Sequence, residues 1–263
     1  MSILLTWNVA GRVRDGQERQ LATLGEAAFD VLCLQEITPT TKDRWIEALE
    51  ARGLHVAVSP YTVPPTGTRR LATLVASRAP VEPLTVADLP WPERHLAVRT
   101  GLAGREVEVH CVHSPLSSKP EEVKVRTLEA IFAAVSPEDG VARIVAGDLN
   151  TPAYESREGV IQSFARTRAG RIRPSHGERH DRAELLLIEE LPARGWRDAF
   201  RSLHGYERRD RSFTWGKRTF GWRLDHILLS PGLRATACEY DHGWRDAGMS
   251  DHSAMWAVVA AAA

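Results

Sequence analysis

The sequence predicts an α/β fold in which two β-sheets pack together with helices on the outside. Short apolar runs alternate with helical patterns along the chain. The runs have the length of buried strands and are bounded by Gly, Pro and Asp. After a mixed front half the tail is rich in strands, which points to two packed sheets.

In order, strands are expected over residues 3–9, 30–37, 71–77, 107–113, 143–148, 224–230, 235–240 and 254–259. Helical patterns cover residues 18–29, 41–52, 120–135 and 182–194. Pro39 precedes the second helix and Gly53 follows it as a stop. Pro120, followed by Glu121 and Glu122, suits a first helical turn: the missing N–H has no partner there, and carboxylates favour the positive end of the helix dipole. Long loops are expected over 61–70 and 167–180, the second too polar and arginine-rich to pack and therefore mobile. There is no repeat and no linker, so a single domain spanning residues 1–263 is expected.

Hydrophobic residues make up 43% of the chain and charged residues 26%, ordinary proportions that need neither metal nor disulfide to stabilise the core. Cys33, Cys111 and Cys238 are odd in number, widely spaced and without a C-x-x-C pair, so they read as buried small residues in a reducing compartment. Residues 1–13 show no basic segment followed by a long apolar run, and no stretch approaches the ~20 apolar residues of a membrane span. The expectation is a cytoplasmic protein with no membrane partner. Formal net charge is zero, yet Arg166, Arg168, Arg171, Arg173, Arg179 and Arg182 crowd one segment and Arg208, Arg209 and Arg211 another. Such clusters are what a polyanion-binding rim would look like. Arginine outnumbers lysine 30 to 4, so a general arginine bias explains part of them.

The chemistry sits at the ends of the predicted strands. Asn8 ends ILLTWN, Glu36 ends VLCLQE, His113 ends VEVHCVH, and Asp148 and Asn150 end IVAGDLN. Asp225 lies in WRLDHILLS, and Asp251-His252 precedes SAMWAVV. One polar residue at a strand end is ordinary capping, but the ends of packed strands converge on a common rim. The chain contains only two asparagines, Asn8 and Asn150, and both fall in this set even though asparagine is cheap in turns elsewhere. Phosphodiester hydrolysis needs a hard cation, an oriented water and neutralisation of developing charge. Glu36 is a hard carboxylate suited to magnesium, and Asp148 can take a proton from water. The amides of Asn8 and Asn150 can donate without adding charge, and His252, ionised by a carboxylate such as Asp225, could clamp phosphate.

WNV, LQE, GDLN, GWRLDHILLS and SDH, in that order across nearly the whole chain, resemble the endonuclease/exonuclease/phosphatase superfamily. The resemblance implies a four-layer α/β sandwich, two packed mixed β-sheets flanked by helices. It implies Asn8 and Glu36 at a Mg2+ ion, with Asp251 near it and Mn2+ as a substitute. It further implies that Asp148 activates water, Asn150 holds the phosphate, and Asp225 and His252 work as a pair opposite the metal. GWRLDHILLS, GWRDAFRSLH and SFTW resemble the exonuclease III and abasic-site endonuclease branch, whereas CVHSPLSS is similar to the deoxyribonuclease I-like arrangement, with His113 as acid for the leaving oxygen. Thr214 stands where the repair enzymes show an aromatic residue around an abasic sugar, although Trp222 is retained, and His226 replaces a tyrosine. Trp222 and Arg173 are the expected substrate contacts. The function implied is a monomeric DNA nuclease, endo- or 3′-exonuclease, leaving 3′-hydroxyl and 5′-phosphate ends. A phosphatase or phosphodiesterase on a small-molecule, nucleotide or lipid phosphoester is the alternative. A catalytically inactive nucleic-acid-binding domain is a third reading, against which the full set of metal and water-activating residues stands.

Overall fold

The computed structural model describes residues 1–61, 71–118, 122–215 and 220–262. Residues 62–70 of the first expected loop, and 119–121 at the expected start of the third helix, lie outside the described residues. The front half contains β1 (Ser2–Asn8), α1 (Asp15–Glu26), β2 (Val31–Ile37), α2 (Lys42–Glu50), β3 (His55–Val58), β4 (Ala72–Ser77), β5 (Glu82–Leu84), β6 (His95–Leu102) and β7 (Arg105–His113). Then follow α3 (Val123–Val135), β8 (Arg143–Asp148), the ribbon β9 (Tyr154–Glu155) and β10 (Ile161–Gln162), α4 (Gly177–Leu185), a π-turn (Leu186–Glu190) and α5 (Leu191–Ala193). The last part holds β11 (Arg197–Asp198), α6 (Ala199–His204), the ribbon β12 (Phe213–Trp215) and β13 (Phe220–Trp222), β14 (Asp225–Leu229), β15 (Leu233–Asp241), α7 (His242–Asp246) and β16 (Ala254–Ala261).

Two six-stranded mixed sheets form the centre, in the orders β15-β16-β1-β2-β4-β3 and β11-β14-β8-β7-β6-β5. Each contains one parallel pair, β1 with β2 and β7 with β8, and is otherwise antiparallel. Three apolar layers hold the sandwich. Val31, Cys33, Val75, Val109, Cys111 and Ile144 meet between the sheets. Trp7, Leu32 and Leu34 pack on Leu24 of α1 and on Trp45 and Leu49 of α2. Val112, Val145 and Leu228 pack on Leu128 and Ile131 of α3 and on Leu187. Strands covered on both faces read as continuous apolar runs, which is why VLCLQEI and RIVAGD are legible in the sequence. The cysteines are free and buried. Among the described residues no helix is long and apolar enough to cross a membrane.

The sequence pattern does not mark β6, which carries Arg99 and Gly101 in an otherwise strand-like HLAVRTGL. Its hairpin with β7 turns at Ala103 and Gly104, both at positive φ, where an Asn-Gly or Asp-Gly pair would have announced the turn. The last expected helix begins earlier, at Gly177, and is interrupted by the π-turn ahead of Pro192. The expected mobile loop over 167–180 is correspondingly corrected. Arg166 pairs with Asp181 at 2.5 Å, Arg179 reaches Glu122 and Glu129, and His180 is buried. Arg208 of the second cluster pairs with Glu239 and Asp210. Much of the arginine excess is thus neutralised within the fold.

A buried pair outside the polar rim predicts acid sensitivity. His95 Nε2 lies 3.1 Å from His110 Nδ1 at the β6–β7 pairing. Burial pushes His95 down to about 4, and burial, His95 and Arg143 hold His110 well below the usual imidazole value. The unfolded chain takes up these protons from about pH 6.5 downward and the folded chain does not, so their contribution is present above that pH and lost as pH falls. His95 alone accounts for roughly 3 kcal/mol of lost stability between pH 6.5 and 4. Urea midpoints at pH 7.5 and 4.5 should drop steeply in the unaltered protein and less in His95→Gln. Parallel pH profiles would contradict this assignment.

Candidate active site

The two parallel pairs bring the polar residues together. In register, Asn8 is opposite Gln35 across β1 and β2, and His113 is opposite Asp148 across β7 and β8. Asp225 opens β14 directly opposite Asp148. His252, two residues ahead of β16, is placed by a bridge to Phe213. The C-terminal ends of four strands and the beginnings of two antiparallel neighbours therefore meet at one edge of the sandwich.

The backbone is bent to aim these groups. The β2–β4 pairing breaks between Leu34 and Ile37, and Glu36 there has φ 64°. Asn150 has φ 50°. Non-glycine residues in the left-handed region carry strain that the surrounding structure must hold. Gly147, one residue before Asp148, has φ +134°, and a Cβ there would lie 2.1 Å from the Val112 carbonyl oxygen. Only glycine lets β7 and β8 close up behind Asp148.

Asp148 is the hub. Its Oδ2 accepts from Asn8 Nδ2 at 3.1 Å and from Asn150 Nδ2 at 3.4 Å, and its Oδ1 accepts from the Asn150 backbone N at 2.9 Å. The Asn8 amide orientation follows from its oxygen accepting from Ala10 N at 2.9 Å, which turns the amino group toward Asp148 and toward Glu36 Oε1 at 3.5 Å. Asn150 Nδ2 also donates to the Ser114 carbonyl at 2.7 Å. His252 Nδ1 lies 2.8 Å from Asp225 Oδ2, and its Nε2 faces Asp148 Oδ2 at 3.7 Å. His113 Nε2 is 3.7 Å from Glu36 and 3.8 Å from Asp148.

The electrostatics separate two histidines that look alike in sequence. Burial favours the neutral form of His252, but Asp225 and Asp148 outweigh it and hold the imidazole up at about 10, so it is a cation at neutral pH. Burial, Arg94 and His252 drive His113 well below the usual value. His113 is accordingly held toward its neutral form, an imidazole that keeps one ring N–H. Burial pushes Asp148 up to about 7, with His252 pulling it down and Asp225 raising it. A carboxyl poised there can gain or lose a proton near neutral pH.

A cavity of about 550 Å³ opens onto this edge and is lined by Glu36, His113, Asp148, Asn150, Asp251 and His252. Asn8 and Asp225 are fully buried behind it. Its apolar wall is built from Phe164, Phe213, Trp222 and Leu224. Phe213 stacks on Trp222 at 6.0 Å between ring centroids, so the residue before Thr214 supplies the aromatic surface that Thr214 lacks. Arg94 was not anticipated. It enters from the WPERH turn, with Nη1 2.7 Å from His113 Nδ1, and no strand-end signature marks it. Arg173 does not reach this cavity. It lines an adjoining one of about 630 Å³ that shares Ser117, Ser118 and Phe164 with the first.

A model of the Endonuclease/Exonuclease/phosphatase family matches residues 5–252. The chain belongs to this family. Its members are hydrolases of phosphoester bonds that work with a divalent metal ion. Similar solved structures include an AP endonuclease from Archaeoglobus fulgidus, 22% identical, covering 98% of this chain and 99% of that one with a TM-score of 0.70. TDP2 from D. rerio complexed with single strand DNA product is 17% identical, covers 98% of each chain and has a TM-score of 0.67. The 3′ phosphatase NExo from Neisseria bound to a product DNA hairpin is 21% identical, covers 98% of this chain and 99% of that one, with a TM-score of 0.65. No curated protein matches the chain. At these identities the structures establish the fold, the four-layer sandwich expected from the motifs.

The donor set fits the family's metal on one side of the cavity. Glu36 forms no ion pair with Lys or Arg among the described residues, and Asp148 and the exposed Asp251 line the same space. Such oxygen donors suit a hard cation. Asn8, expected at the metal, presents its amino group and so orients Glu36 and Asp148. Asp148, Asp225 and His252 also offer atoms within 4.8 Å of one another. However, His252 keeps its proton against Asp225 and is spoken for as a hydrogen-bond donor.

Proposed function

We propose that this protein is a magnesium-dependent nuclease that hydrolyses DNA phosphodiesters, leaving 3′-hydroxyl and 5′-phosphate ends. The observation that carries this reading is a run of cavities longer than one phosphoester. The central cavity shares Trp222 with one of about 250 Å³ lined by Arg209 and Arg211, and by Arg201 and Arg223, which pair with Glu155 in its wall. It shares Ser117, Ser118 and Phe164 with the cavity that holds Arg173. A polar floor for one phosphate, an aromatic wall for a sugar or base, and arginines further along suit a polyanionic strand. The DNA products bound to TDP2 and NExo, on the same fold, support it.

Glu36 and Asp251 would hold the ion, with Asn8 fixing Glu36 from behind. When bound, magnesium neutralises phosphate charge and polarises the ester. Asp148 takes a proton as the water oxygen bonds to phosphorus and the bond to the 3′ oxygen breaks, and a solvent proton completes the 3′-hydroxyl. The Asn150 amide and the His252 cation, braced by Asp225, donate to the phosphate oxygens as charge builds. Arg94 and neutral His113 present further donors on the facing side.

The test is one assay of labelled abasic duplex, intact duplex and single-stranded DNA beside nucleotide and lipid phosphoesters in magnesium buffer. DNA cleavage with 3′-hydroxyl ends is expected, and chelation should abolish it. Binding should weaken by a log–log slope of about 0.9 per phosphate contacted as salt rises. Hydrolysis of a lipid or nucleotide ester with no DNA cleavage would instead assign the apolar wall to a small-molecule substrate.

A further inference from the structure

Two consecutive backbone carbonyls behind the cavity floor are each held by a buried donor, and each donor is backed by a carboxylate. The Asn150 carbonyl accepts from Lys124 Nζ at 2.7 Å, and the same amine donates to Glu184 Oε1 at 2.7 Å and Ser117 Oγ at 3.1 Å. The Thr151 carbonyl accepts from His226 Nε2 at 2.9 Å, while His226 Nδ1 faces Asp198 Oδ2 at 3.2 Å. Lys124 is 2% exposed, and Glu184 and His226 are 1% and 0%.

Burying an ammonium is costly unless every proton finds an acceptor. Here all three do, and they fall on three separate segments: the loop after β7, the turn after β8, and α4. Glu184 extends the arrangement by accepting from Ser117, from His180 and, at 2.6 Å, from the Phe164 backbone N–H on the cavity wall. His226 reaches the neighbouring carbonyl from the β14 side. Asn150, whose own carbonyl Lys124 holds, is the residue in the strained left-handed conformation. A simple packing role would not require matched donors on adjacent carbonyls of that turn.

We propose that Lys124 and His226 are positioning residues for Asn150: by pinning the carbonyls of Asn150 and Thr151 from two sides they hold the Asn150 amide at the cavity floor. The proposal rests on the reading above that this amide meets the phosphate. It predicts that releasing either carbonyl displaces the Asn150 amide more than that of Asn8, which shares Asp148 with it but is also anchored by the Ala10 backbone N–H.

The two asparagines make this directly observable, because asparagine carrying 15N in its side-chain amide alone yields only the amide signals of Asn8 and Asn150. Lys124→Met combined with Glu184→Gln removes both buried charges together, so no uncompensated carboxylate is left, and the amide oxygen that replaces the carboxylate can still accept from the Phe164 N–H. In that variant, and separately in His226→Phe, the Asn150 signals should move further than the Asn8 signals, which shift only through the shared Asp148, with assignment by Asn150→Ala. Magnesium-supported cleavage of the labelled abasic duplex should fall by about 100-fold in kcat with KM little changed, the cost of a small misplacement of a transition-state donor. Either variant, folded by its melting transition, with Asn150 signals at their original positions would overturn the proposal. Undiminished cleavage by Asn150→Ala would instead sink the functional reading, while the amide signals still decide whether the clamp exists.

Discussion

Replacing Asp148 with asparagine is expected to lower kcat by about four orders of magnitude while leaving the protein folded. Asparagine keeps the shape but only one of the two acceptor oxygens, so either the side-chain amides of Asn8 and Asn150 or the Asn150 N–H loses its partner, and it cannot take a proton from water. The stability change should run the other way. Burial holds this carboxyl up at about 7, against 3.8 for an ordinary aspartate. The penalty for ionising it inside the fold therefore builds as pH rises from about 4 to about 7 and is complete above that. Removing the charge relieves a penalty of roughly 4 kcal/mol at pH 8 in the metal-free protein, offset in part by the donor left facing the asparagine amino group, so the net change should be stabilising. Rate measurements with magnesium, beside denaturant titrations in chelator at pH 6 and 8, test both signs. Near-normal turnover would overturn the assignment of Asp148, and lost activity with lost stability would indicate that the variant had failed structurally.

Gly147→Ala is expected to be the most damaging alanine substitution among the described glycines. The new Cβ would lie 2.1 Å from the Val112 carbonyl oxygen, which the pairing of β7 with β8 holds in place, and 3.0 Å from Gln35 Nε2 of the facing sheet. The backbone there, at φ +134°, is also one that alanine rarely adopts. Overpacking and strain together cost about 4 kcal/mol. For a protein of this size that is a fall in melting temperature of roughly 10 °C. Because the displaced strand carries Asp148, whatever folded protein remains should also lose activity. Calorimetry of Gly147→Ala beside Gly53→Ala, whose Cβ would meet nothing, separates the clash from the general cost of positive φ. Equal losses in the two would show that the close approach of β7 and β8 is not what requires glycine.

These effects concern residues that differ in how visible they are in the sequence. Asn8, Glu36, Asp148, Asn150 and His252 stand out because each is polar and sits at the end of an apolar strand, a pattern carried by neighbours in the chain. Arg94 does not. Its place against His113 depends on the β6–β7 pairing, and β6 itself is broken by Arg99 and Gly101. Phe213 is masked by Thr214 because one step along a strand reverses the face a side chain occupies. The arginine clusters suggest an open basic rim, yet Arg166, Arg179 and Arg208 find carboxylates brought near by folding.

What the chain determined by itself is the four-layer α/β plan and the polar set at the strand ends. Apolar periodicity and end residues are local properties, and local properties survive in any correct fold. The state of that set was decided only in three dimensions. His113 and His252 are the same residue type at similar strand ends, yet the nearest charged group to one is the Arg94 guanidinium at 2.7 Å and to the other the Asp225 carboxylate at 2.8 Å. The first is neutral and the second a cation because charge depends on distance through a low-dielectric interior, which no sequence spacing records.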